Sequence, residues 1–151
     1  MSERFEQGTT VFHKVLVAID VSVSSRNPIG LDQAVEVAMA SKGLLRLVNV
    51  QSILPATFME YVPSDFDDEQ ERLAVVALDS IVAAVTIPAD RVSRVVRQGG
   101  IYHELLNEAR TWGADLIVIG SHRPVMSDYL LGSNAKTIVR HAHCSVLVVR
   151  P

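Results

Sequence analysis

A single cysteine, Cys144, stands among the 151 residues. No intrachain disulfide can form, and a reducing compartment fits such a chain. Basic charge is also scarce. Lys and Arg number 14 against 17 Asp and Glu, a formal charge of −3, and no run of bases forms a patch. General nucleic-acid binding needs concentrated positive charge to release counterions, so that class is excluded. No apolar run is long enough to span a bilayer. The opening MSERFEQGTTVF carries two acids and no apolar centre, so it is not expected to be a secretory signal. A cytoplasmic protein is the expectation.

Several site motifs are missing as well. There is no GxxxxGK[ST] phosphate loop, no GxGxxG after the first apolar run, and no GxSxG nucleophile elbow. A P-loop, a dinucleotide-binding Rossmann site and a hydrolase triad therefore lack support. His141 and His143 stand two residues apart, but only Cys144 lies near them and no four-ligand metal set is completed. No protein-held metal is expected, and no catalytic residue is assigned.

What is present is apolar: 48% of the residues, enough for one core. Short β-branched runs at 14–20 (KVLVAID), 44–50 (LLRLVNV), 92–96 (VSRVV), 115–120 (DLIVIG) and 145–149 (SVLVV) read as strands buried on both faces. Between them, apolar residues recur at helical spacing. The stripes are Leu31, Ala34, Val35 and Ala38; Leu73, Val76, Ala77, Ser80, Ile81 and Ala84; Ile101, Leu105, Ala109 and Trp112; and Ala135, Ile138, Val139 and Ala142. Asn27 and Pro28 mark the start of the first helix and Gly43 its end. Residues 1–12 are expected to form a tail and 13–151 one domain. The segment 51–68, with Pro55, Phe58, Tyr61, Pro63 and Phe66, is long for a lead-in to a helix; it could cover a ligand, join a partner or move.

Strands alternating with helices predict an α/β fold, a doubly wound, five-stranded parallel sheet with helices on both faces. Few orders suit five such strands, and 3-2-1-4-5 is the one favoured. In such sheets ligands bind outside the carboxyl ends of the strands where the winding reverses. Strand 1 ends at Asp20 and strand 4 at Gly120, so the stretch GSHRPVMSDYLLGSNAKTIVRH falls at that point. Its two Gly-Ser pairs stand twelve residues apart. Gly120 lets the backbone leave the strand sharply and approach a ligand. Gly132, Ser133 and Asn134 open the last helix, whose first amides and dipole suit an anion. Ser133 could cap that helix or give its hydroxyl to a phosphate. Asp20 could accept hydrogen bonds from ribose hydroxyls or an adenine amino group.

With those residues in place, the chain resembles the universal stress protein family from about His13 onward, and within it the F- and G-type subgroup. Nucleotide-binding members carry G-x-x-G, nine residues, then G-[ST]. Gly120, Gly132 and Ser133 match that pattern; Arg123 stands in place of the second glycine, and the spacer is one residue shorter. The wording SHRP…YLLGSNA…VRHA…CSVLVVRP carries the subgroup likeness. The resemblance implies a Rossmann-like fold and an adenine nucleotide. ATP is the first choice, with magnesium or without, and other adenine nucleotides stay open. Ala18, Asp20, Val50, Gly120, Ser121, His122, Arg123, Gly132, Ser133 and Asn134 form the implied site, Ala18 and Val50 meeting the adenine through their backbone. A stress-response role without a dedicated reaction is also implied, weak ATPase or autophosphorylation being a variant of it. So is a homodimer through strand 5, which could assemble further into a tetramer.

Arg123 leaves three readings open. It could reach the phosphates, fill the cleft and bar the nucleotide, or lie exposed in the loop. The second would make the protein an interaction module of the same fold with an obstructed cleft. The edge strand at 145–149 has no protecting charge or bulge before Arg150 and Pro151, and pairing with a second copy would satisfy it.

Overall fold

The computed structural model describes residues 11–21, 28–121 and 132–151. Five strands form one parallel sheet: β1 (Lys14–Ala18), β2 (Leu44–Gln51), β3 (Val92–Gln98), β4 (Leu116–Gly120) and β5 (Ser145–Val149). Their order is β3-β2-β1-β4-β5, the order favoured from the sequence. Among the described residues four α-helices lie between them: α1 (Leu31–Ser41), α2 (Phe66–Ala84), α3 (Ile101–Trp112) and α4 (Ser133–His141). A 3-10 helix over Ala56–Tyr61 sits within the long lead-in to α2.

The pleat sends alternate side chains to opposite faces, and the core divides accordingly. Val15, Val17, Leu45, Leu47, Leu116 and Val118 meet Leu31, Ala34 and Ala38 of α1 and Leu78 of α2. On the other face Leu16, Val48, Ile117 and Ile119 meet Leu105 and Ala109 of α3 and Ala135 and Ile138 of α4. The central strands are therefore apolar on both faces. β3, at an edge, is only half-buried along its length except for exposed Gln98. Its Arg94 Nε donates to Asp79 Oδ1 of α2 at 2.7 Å.

Three local readings need correction. The apolar stripe of α2 is displaced by one residue. Ala74 and Leu78 are buried, with Ile81 and Val82 packed against the core, whereas Leu73 is 48% and Val76 55% exposed. Residues 73–78 read LAVVAL, so apolar side chains occur on two sides of the helix and spacing alone does not choose the buried one. In α4, likewise, Ala135 and Ile138 are buried but Val139 is 48% exposed.

The ends of α1 also differ. Asn27 lies outside the described residues, and Pro28 is not the first helical residue. Its carbonyl accepts the Leu31 N–H in a turn, and Gly30 is the N-cap at φ 91°, with Val118 Cγ1 3.2 Å from where a Cβ would stand. That left-handed backbone and close approach explain a glycine there. At the other end Lys42 takes the left-handed cap at φ 54°. Gly43 follows it for a different reason: a Cβ would lie 2.7 Å from the Phe12 carbonyl oxygen. Arg91 completes this end by donating to the carbonyls of Gly43 and Ala38.

Candidate functional site

The candidate site lies where β1 and β4 end side by side. β1 pairs with β4 through Val17↔Val118, and β4 continues to Gly120. Asp20 is exposed two residues beyond β1, while Ala18 and Val50 are half-buried and pack against the core face carrying α3 and α4.

The two Gly-Ser pairs, twelve residues apart in the chain, meet. The Ser121 N–H donates to the Val149 carbonyl at 2.9 Å, and the Ser121 carbonyl accepts the Gly132 N–H at 2.7 Å. Ser121 is buried. This two-sided anchoring sets the start of α4 against the end of β4. Gly132 is the N-cap, and its carbonyl accepts the Lys136 N–H at 3.0 Å. The first turn of α4 holds no acid and its cap makes no side-chain hydrogen bond, so the positive end of the helix carries no carboxylate of its own. Backbone amides in that setting suit a phosphate or another anion.

The reason for a glycine at 120 differs from the one expected. Gly120 does not adopt a left-handed backbone. A Cβ there would stand 3.3 Å from Ile29 Cγ2, so its smallness admits Ile29 from the turn before α1. Gly132 has φ −58° and ψ 155°, a conformation open to any residue, and needs no glycine for its backbone. Ser133 does not cap α4. It is the first helical residue, exposed, and its carbonyl accepts the Thr137 hydroxyl at 2.9 Å. Asn134 is half-buried in the same turn. His122 and Arg123, with Ser127 and Asp128, lie outside the described residues, as do Ser22, Ser24 and Ser25.

Two polar features were not singled out from the sequence. Asn49, buried near the end of β2, donates from Nδ2 to the Ile19 carbonyl at 2.8 Å and accepts from Gln51 Nε2. Glu108, buried in α3, joins two strands: its Oε1 accepts from Arg46 Nη1 at 2.8 Å and its Oε2 from Arg97 Nη1 at 2.7 Å. Bonding to Glu104, and then to Glu108, holds the Arg97 guanidinium more firmly protonated than usual. Arg46 also lies over the Trp112 ring, 4.6 Å from its centroid. The signal for this network is an Arg in the middle of an apolar strand, which demands a partner on the helix above it. A cavity of about 320 Å3 opens at the same end of the sheet between Gln51, Gln98 and the first turn of α2, with Asp67 and Asp68 on its wall. His103 is exposed on α3, and Gly99 and Gly100 form the turn before it. Cys144 is half-buried, and burial pushes its thiol pKa up. Among the described residues no three of His, Cys, Asp and Glu gather as metal ligands, and no helix is long and apolar enough to cross a membrane.

The sequence pattern defining the universal stress protein family matches residues 12–150. The chain belongs to the universal stress protein family. Among its relatives is universal stress protein G of Shigella flexneri, 41% identical over 85 residues, which are 56% of this chain and 60% of the relative. Universal stress protein A homolog 1 of Coxiella burnetii is 34% identical over 142 residues, covering 91% of this chain and 96% of the relative. Among solved structures, the UspA protein of Lactobacillus plantarum superimposes with a TM-score of 0.75 at 24% identity, over 91% of this chain and 97% of that one. A universal stress protein solved in complex with cAMP superimposes at 0.61, with 24% identity over 93% and 98%. At these identities the likeness establishes the shared α/β fold.

Proposed function

We propose that this universal stress protein binds an adenine nucleotide, ATP foremost, in the cleft at the ends of β1 and β4, and acts as a cytoplasmic stress-response regulator. The observation that carries the reading is the Gly132 N–H donating to the Ser121 carbonyl at 2.7 Å, which joins the end of β4 to the N-terminus of α4. The amides of Ser133, Asn134 and Ala135 would then receive the phosphates. Ala18, Asp20 and Val50 would hold the nucleoside, and Gly120, Ser121, His122 and Arg123 would line the path between the two. The cAMP complex of a protein of the same fold supports an adenine nucleotide as the ligand class. Magnesium, where present, would arrive with the nucleotide's phosphates.

The test is a melting experiment on nucleotide-stripped protein. A ligand that binds only the folded state raises its stability by RT ln(1 + [L]/Kd), so millimolar ATP should raise Tm, and GTP should raise it less. No shift with ATP, ADP or AMP would favour the other reading, an interaction module whose cleft is closed by Arg123.

A further inference from the structure

We infer that Asn49 is a positioning residue of the nucleotide cleft: its side-chain amide clamps the Ile19 peptide and thereby sets where Asp20 presents its carboxylate. The inference rests on the nucleotide reading of the cleft. The β1–β2 register runs from Lys14↔Leu44 to Ala18↔Val48, and one further backbone bond follows, from the Ile19 N–H to the Val48 carbonyl at 2.8 Å. At the next polar group the side chain takes over, as Asn49 Nδ2 donates to the Ile19 carbonyl at 2.8 Å.

Asn49 belongs to the odd-numbered row of β2 that begins with Leu45 and Leu47, both wholly buried. An apolar residue there would continue the core without the cost of burying an amide. The amide is instead held from both sides, because Gln51 Nε2 donates to its Oδ1. The Ile19 carbonyl can only accept, which fixes the Nδ2 end of the Asn49 amide toward it, and the Gln51 bond braces the other end. The Ile19 carbonyl belongs to the same planar peptide as the Asp20 nitrogen, so the clamped oxygen stands three bonds from the Asp20 Cα with no rotatable bond between them except the last. β1 can leave the sheet at Asp20 while its last peptide stays fixed. A carboxylate on a fixed stem orients a bound nucleoside, whereas one on a loose stem must be ordered by each ligand that arrives.

Calorimetric titration of ATP into four nucleotide-stripped proteins tests this: wild type, Asn49→Leu, Asp20→Ala and the double variant. Asn49→Leu should weaken binding about tenfold, the scale of one misaimed hydrogen bond to a charged group. The double variant should bind no more weakly than Asp20→Ala alone, because a residue acting through Asp20 has nothing left to position. Should Asn49→Leu fail to fold, Gln51→Ala replaces it in the same cycle. It leaves the clamp in place but frees its amide to turn, with a loss of about threefold expected and again no additivity with Asp20→Ala. Wild-type affinity in the Asn49→Leu protein, or losses that simply add, would overturn the inference and leave the nucleotide reading intact. A wild-type protein that does not bind ATP would overturn both.

Discussion

Gly132 and Ser133 separate the binding role of a residue from its folding role. Gly132 sits at φ −58° and ψ 155°, and Ser133 is a first helical residue whose side chain caps nothing. The backbone at 132 therefore does not require glycine, and the helix does not require the Ser133 hydroxyl as a cap. Gly132→Val should melt close to wild type yet lose ATP affinity about tenfold or more, because a branched side chain would stand where the phosphates approach the helix amides. Ser133→Ala should change neither Tm nor affinity by as much, since the amides remain. Melting curves and ATP titrations on the two proteins check this; a large fall in Tm for Gly132→Val with unchanged affinity would contradict it. The same scale shows what could be read in advance. Gly120 and Gly132 were identifiable as a pair from the motif, although the reason for a glycine at 120 is the side chain of Ile29. Asn49 was not identifiable. It is one polar letter near the end of an apolar run, and its partner lies 30 residues away.

Elements are joined here by charge as well as by apolar burial. Glu108 ties α3 to Arg46 of β2 and Arg97 of β3, and Lys14 of β1 donates from Nζ to the Trp112 carbonyl at 2.9 Å. Removing one partner of a buried pair typically costs about 3–5 kcal/mol. The arginines keep 23% and 28% of their side-chain surface in water, so Glu108→Ala should cost less, about 2 kcal/mol. Urea unfolding measures it, and a loss below about 0.5 kcal/mol would show that water replaces the carboxylate. Most elements were legible because the sheet is parallel. Each central strand is apolar on both faces and each crossover is a helix, so both kinds of pattern stand out. The inward face of α2 was not legible. Its LAVVAL segment is apolar on two sides, and only contact with β2 and β3 selects Ala74 and Leu78.

At the scale of the whole molecule, the sheet order puts β5 at an edge, and we further propose a homodimer through that strand. In an extended strand the N–H and C=O of one residue point to the same side and alternate along the chain. The Val149 carbonyl points to β4, where it accepts from Ser121, so Leu147 faces β4 while Val146 and Val148 turn their amides to the open edge. Val148→Pro should therefore weaken a β5-to-β5 dimer while leaving the β4 ladder intact. Light scattering at micromolar concentration should give two chains for wild type and a shift toward one for the variant. A single-chain mass for wild type would contradict the dimer. Nucleotide binding in the cleft can be followed residue by residue in an amide-resolved NMR titration of nucleotide-stripped protein with ATP. The amides of Asp20, Ser121, Ser133, Asn134 and Ala135 should shift together and saturate with one affinity. Shifts confined to Gln51, Gln98 and the first turn of α2, or no shifts at millimolar ATP, would contradict it.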